Sequence, residues 1–200
     1  MRRLFVYIHG KGGSASESEH YKALFPNDDV IGFDYTSSTP WEARLEFQKF
    51  FEGFKNRYES VSIIANSIGA FFSMLSLDEK LVNQAYFISP IVDMVKLIQN
   101  MMYWAKVSEK ELAEKRIIKT EFDETLSWEY LVYVKNNPIT WSVPTRILYG
   151  EKDNLTALPT ITEFSERISA ELTIMRCGEH WFHTHEQMNF LDNWILNNIG

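Results

Sequence analysis

Residues Ala65 to Leu75 read ANSIGAFFSML and follow directly on the apolar run Val61, Ile63 and Ile64. A strand with the composition of a buried one stops at Asn66 and Ser67, and apolar sequence resumes at helical spacing from Ile68 with no glycine or proline turn between. Simple core packing has no use for that serine. In an open α/β sheet the ligand crevice lies at the carboxyl ends of the strands, and Ser67 stands where one strand ends and a helix begins. A sharp turn there strains the backbone, exposes the hydroxyl and puts a helix N-terminus behind it. Strand and helix then approach closely, which demands small residues two positions to either side; these are Ala65 and Gly69. A small-x-Ser-x-Gly pattern alone fits a helix-capping serine equally well.

Outward from this stretch, strand and helix patterns alternate. Short β-rich runs at 4–8, 30–33, 61–65, 84–88, 145–149 and 172–175 have the continuous apolar character of strands buried on both faces. Between them lie helical periodicities: Phe47, Phe50, Phe51, Phe54 and Tyr58 share one face, as do Met188, Leu191, Trp194 and Ile195. Such alternation predicts an α/β fold, a three-layer α/β/α sandwich around a mostly parallel six-stranded sheet. Residues 1–200 read as one domain, with no repeat, linker or low-complexity tract in the pattern.

One segment interrupts the alternation. About fifty residues, 91–141, separate two predicted strands, far more than a single crossover helix requires. Met94, Leu97, Ile98, Met101 and Ala105 share a helical face, Ser108 and Glu111 are spaced as a capping box, and a third helix is expected through 128–134. With Met101, Met102, Trp104, Trp128 and Trp141, this insertion is apolar enough to roof a pocket, although aromatic stripes are more often core.

Composition narrows the function classes. With 45% apolar and 14% aromatic residues, 200 residues suffice for a core and a ligand pocket. A net charge of −7 without any basic cluster argues against nucleic acid or an anionic membrane as partner. The single cysteine, Cys177, excludes an intramolecular disulfide and a cysteine zinc cluster, and suits a reducing cytoplasmic location. The apolar run near the N-terminus is too short for a signal sequence or a membrane span and reads as a strand. Oligomeric state is not legible.

Three further features fall at the same edge of the predicted sheet as Ser67. The first strand runs into His9-Gly10-Lys11-Gly12-Gly13, a flexible loop with backbone N–H groups to offer an oxyanion. The fifth leads into Tyr149-Gly150-Glu151-Lys152-Asp153, and the sixth into Cys177-Gly178-Glu179-His180-Trp181-Phe182. The order Ser, Asp, His, with the histidine before a final helix, resembles the α/β-hydrolase family across essentially the whole chain. The chain looks like a small member that lacks the first two of the usual eight strands and carries its insertion at the usual lid position.

That resemblance implies a serine hydrolase acting on a small-molecule carboxylic ester, or on a thioester or amide. Ser67 would be the nucleophile, His180 the general base and then acid, and Asp153 the residue that orients the imidazole. The backbone N–H groups of Ile68 and Lys11 would form the oxyanion hole, and Met101, Trp104, Trp128 and Trp181 would line the substrate pocket. Ala65 stands where the family usually has glycine, which implies a slightly crowded elbow. Neither a cofactor nor a metal is implied. A non-hydrolytic binder or a lyase on the same fold is the alternative, since one fold hosts many functions.

Other residues compete for roles. His180, His183, His185, Glu179 and Glu186 are of metal-ligand type, but His180 is already assigned, and His183 and His185 fall at the start of the last helix. Asp93, just past the fourth strand, is the rival for the acid. His9 reads as a structural residue of the glycine loop, His20 has no context, and Cys177 sits at a strand end. Asp34, Tyr35 and Pro40-Trp41 read as a pocket rim or helix start.

Overall fold

The computed structural model describes residues 2–199. Six strands form one sheet: β1 (Leu4–Ile8), β2 (Asp29–Phe33), β3 (Val61–Asn66), β4 (Gln84–Ile88), β7 (Thr145–Gly150) and β8 (Glu171–Met175). Their order is β2-β1-β3-β4-β7-β8, and every neighbouring pair is parallel. Each expected strand is therefore present, with small shifts at the ends of β2, β3, β7 and β8.

Both faces of the sheet are covered, most completely along β1, β3, β4 and β7 and only in part at the edge strands β2 and β8, and residues alternate between the faces. Leu4, Val6 and Ile8 of β1 join one core with Ile63, Ala65 and Phe87, while Phe5 and Tyr7 join the other with Ile64, Tyr86 and Leu148. On the first face lie α2 (Pro40–Glu52), α3 (Ser67–Ser76) and α7 (Leu158–Arg167), contributing Phe47, Phe51, Phe72 and Phe164. On the second lie α1 (Ser18–Leu24) and α8 (His185–Asn198), through Tyr21, Leu191, Trp194 and Ile195. The predicted layers follow from these periodicities. Pro40 opens α2 at its first turn, behind the N-cap Thr39, whose side chain accepts from the Glu42 amide.

Between β4 and β7 come α4 (Met94–Trp104), α5 (Glu109–Lys115), a two-stranded antiparallel ribbon of β5 (Ile117–Lys119) and β6 (Thr125–Ser127), and α6 (Trp128–Asn136). The ribbon was not expected from sequence. Its strands are three residues each, and only Leu126 is buried, so no period-2 pattern has room to develop. Ser108 caps α5 by accepting the Glu111 amide. The buried side chains of the segment, among them Leu97, Met102, Leu112 and Leu131, belong to the same core as α2 and α3.

Chain direction decides where a site is possible. From β1 the chain moves outward to β2, then returns to place β3 on the other side of β1. The order reverses there, so the crevice at the carboxyl ends of β1 and β3 is the topological switch point at which open parallel sheets bind ligands. No helix of the described residues is long and apolar enough to cross a membrane.

Candidate active site

Ser67 is the first residue of α3, immediately after Asn66 ends β3, and has φ of 49°. That left-handed conformation is strained for any residue with a Cβ. It explains why strand passes to helix without intervening turn residues, since one strained residue makes the whole reversal.

Two glycines make room for it. A Cβ on Gly69 would lie 2.4 Å from the His9 carbonyl oxygen and 3.0 Å from Ile8 Cγ2, so α3 and the end of β1 touch there. A Cβ on Gly10 would lie 3.3 Å from Ser67 Cβ. Gly69→Ala is accordingly expected to lower stability by about 1–3 kcal/mol, the usual cost of overpacking, because the clash is with backbone. Gly12→Ala, at φ of 77° with no heavy atom near its would-be Cβ, should cost only about 1 kcal/mol of backbone strain. Urea unfolding of the two variants checks the ranking; equal losses would mean that the α3–β1 approach is looser than described.

The strand ends after β7 and β8 deliver two further side chains. His180 Nε2 lies 2.9 Å from Ser67 Oγ, and His180 Nδ1 lies 2.7 Å from Asp153 Oδ2. The structure thus brings the three sequence-assigned residues into one hydrogen-bonded run. The Asp153 side chain is fully buried, and that of His180 is 15% exposed. Asp153 Oδ1 accepts the amides of Leu155 and Thr156 at 2.8 and 3.0 Å, which leaves Oδ2 to the imidazole. The Tyr149 hydroxyl donates to the Thr156 carbonyl and braces this turn. Burial, with the Asp153 charge adding to it, pushes the Tyr149 phenol up to about 12, so it stays a donor.

Gly150 and Gly178 let the two loops meet. A Cβ on Gly150 would lie 2.4 Å from the Glu179 carbonyl oxygen, and the Lys152 amide donates to the Gly178 carbonyl at 2.7 Å. His180 is thereby carried over Asp153 by backbone contact.

The glycine loop completes the crevice. Lys11 lies in it, and its amide has no hydrogen-bond acceptor among the described residues. Ile68 is the second residue of α3, so its amide is among the four that no intrahelical carbonyl reaches. Behind the loop, His9 stacks on Tyr35 at 4.3 Å between ring centres, and the Tyr35 hydroxyl donates to the His9 carbonyl. His9 and Tyr35 are loop supports in this arrangement.

A cleft of about 700 Å³ opens beside Ser67, lined among others by Lys11, His180, Trp181, Phe182 and Met188. The structure brings Trp181 to this cleft and does not bring Met101, Trp104 or Trp128 there. Met101 and Trp128 are half-buried against the core on the α2–α3 face, and Trp104 is half exposed with its ring near Phe122. An amphipathic stripe specifies that a helix face is buried, not which neighbour buries it. The insertion does reach the glycine loop at one point, where Lys11 Nζ meets Glu124 Oε1 at 2.5 Å.

Sequence reasoning missed Tyr7, Glu17 and His20, which also line the cleft. The Tyr7 hydroxyl donates to Glu17 Oε2 and accepts from Asn66 Nδ2 at 2.9 Å, so it joins the residue before Ser67 to the segment after the glycine loop. Burial raises the Tyr7 phenol well above its ordinary range and keeps it a donor. A tyrosine among aliphatic neighbours in a doubly buried strand is the available signal, because a buried phenol needs a partner. His20 Nε2 is 2.6 Å from Asp192 Oδ1.

The remaining candidates have other occupations. Asp93 is exposed and caps α4 by accepting the Lys96 amide at 2.9 Å. His183 Nδ1 faces the Trp181 carbonyl and His185 Nδ1 faces Asn189; α8 begins at His185, behind the N-cap Thr184. Among the described residues no three histidine, cysteine, aspartate or glutamate side chains are grouped to hold a metal ion.

The sequence matches no protein-family profile and no curated protein. Solved structures do resemble the fold. A provisionally named hydrolase from Agrobacterium vitis S4 superposes with a TM-score of 0.78 at 18% identity, over 100% of this chain and 88% of that one. The α/β hydrolase domain-containing protein 10 from mouse gives 0.73 at 15% identity, over 97% and 88%. The Pyrococcus furiosus esterase Pf2001 gives 0.65 at 19% identity, over 98% and 81%. Strand order, crossover pattern and these likenesses lead to one conclusion: the chain has the α/β-hydrolase fold.

Proposed function

We propose that the protein is a serine hydrolase that cleaves a carboxylic ester of a small molecule through an acyl-enzyme on Ser67. The observation that carries this reading is the run Ser67 Oγ, His180 Nε2, His180 Nδ1, Asp153 Oδ2, at 2.9 and 2.7 Å, set at the switch point of a parallel sheet. The similarity to a solved esterase accords with it.

His180 Nε2 takes the Ser67 proton as Oγ attacks the ester carbonyl, and the buried Asp153 carboxylate holds Nδ1–H and stabilises the imidazolium. The amides of Ile68 and Lys11 receive the oxyanion. His180 returns the proton to the leaving alcohol. Water then attacks the acyl-enzyme by the same route, releasing the acid and restoring the serine. Thioesters and amides are open to the same steps.

The test is labelling with a fluorophosphonate probe, followed by turnover of aryl esters of increasing acyl length. Labelling of the native but not the heat-denatured protein, with ester turnover, is expected. Absence of labelling would overturn the reading, and labelling without turnover of any ester, thioester or amide would turn it to a binder or lyase.

A further inference from the structure

Among the described residues Glu17 is the only carboxylate that lines the cleft beside Ser67. It ends the single helical turn Ala15–Glu17 and is exposed. Both its oxygens are held by neutral donors: Oε1 accepts the Ser14 amide at 3.1 Å, and Oε2 accepts the Tyr7 hydroxyl. Neither donor neutralises the charge.

The groups able to do so are engaged elsewhere. Lys11 Nζ is drawn onto Glu124 at 2.5 Å, and Glu124 does not line the cleft. His20 is on Asp192, His180 is on Asp153, and His183 has Glu179 at 3.6 Å. Among the described residues each lysine and histidine around the cleft thus has its own carboxylate, and none of them answers the charge of Glu17. The chain's net charge of −7 reinforces the sign.

An aromatic surface lies in the same cleft. Trp181 is 71% exposed, with one indole face covered by His183 at 4.6 Å between ring centres. The other face is free to take a ligand. A carboxylate without a cation, together with an open indole, is the chemistry that recognises an alkylammonium group. Glu17 is two hydrogen bonds from Asn66, the residue before Ser67, so one small substrate can span both.

We propose that the cleft selects esters carrying a cationic amine or quaternary ammonium group, and that Glu17 is the selecting residue. This rests on the hydrolase reading of Ser67. Three esters of similar size are compared, bearing a trimethylammonium, an isosteric tert-butyl or a carboxylate group, once on the alcohol side and once on the acyl side. In at least one series kcat/KM should be about tenfold higher for the cation than for the anion at low ionic strength, with the neutral ester between them. The ratio should fall to about twofold in Glu17→Gln, which keeps an acceptor for the Ser14 amide, and should shrink in high salt.

Fluorophosphonate labelling of the wild type reports on Ser67 separately, because the probe's reactive group is uncharged. Binding of the same esters to Ser67→Ala, followed by NMR line broadening, reports on the cation preference without turnover. Flat charge preference in both series, equal binding of cation and anion by Ser67→Ala, or an unchanged ratio in Glu17→Gln would overturn the assignment. A labelled wild type with a flat preference would leave the hydrolase reading standing alone.

Discussion

Ser67→Ala is expected to reduce ester turnover by on the order of 10⁶-fold and to abolish fluorophosphonate labelling, the loss found when the nucleophile of such a run is removed. The fold should survive. Alanine also carries a Cβ, so the strain at φ of 49° is unchanged, and among the described residues the side-chain hydrogen bond that disappears is the one to His180. Steady-state hydrolysis, labelling and a thermal scan on one preparation check this. Turnover within tenfold of wild type would mean that the nucleophile lies elsewhere.

Asp153→Asn is the next largest, at about 10⁴-fold in kcat, for a reason visible in the geometry. Asp153 Oδ1 already serves the Leu155 and Thr156 amides, so an asparagine keeps its carbonyl oxygen there and turns its NH₂ toward His180 Nδ1. A donor facing Nδ1 forces the imidazole proton onto Nε2, which then cannot accept from Ser67. Asp93→Asn should change kcat less than twofold, because Asn caps a helix as well as Asp does and the Asp93 carboxylate accepts from the start of α4, away from His180. A reversed ranking would move the acid to the loop after β4.

The sheet was legible because strands covered on both faces leave continuous apolar runs, and β1, β3 and β4 are almost wholly buried. The Ser67 turn was legible for a different reason: a polar residue without a packing role interrupts such a run. What the sequence withheld was lateral placement. Nothing in the spacing of Met101, Trp104 and Trp128 distinguishes packing on the α2–α3 face from roofing the cleft, since either choice buries the same stripe. The ribbon β5–β6 was too short to read. Glu17 was hidden because its role depends on Lys11 being held by Glu124, a partner distant in sequence. Pairings of that kind are fixed by tertiary structure and have no local signature.

The all-parallel sheet also bears on how the molecule comes into being. With no hairpin between adjacent strands of the sheet, none can zip from a turn; Leu4 must find Val61, and Gly150 must find Met175, across long intervening chain. Such non-local pairing is slow, because loop-closure entropy is lost before contacts repay it. During synthesis Ser67 and its helix emerge early, while His180 follows only after β8 and must wait for that edge strand to dock on β7. A nascent chain therefore carries Ser67 without His180, and the hydrogen-bonded run from Ser67 to Asp153 closes only once β8 has docked.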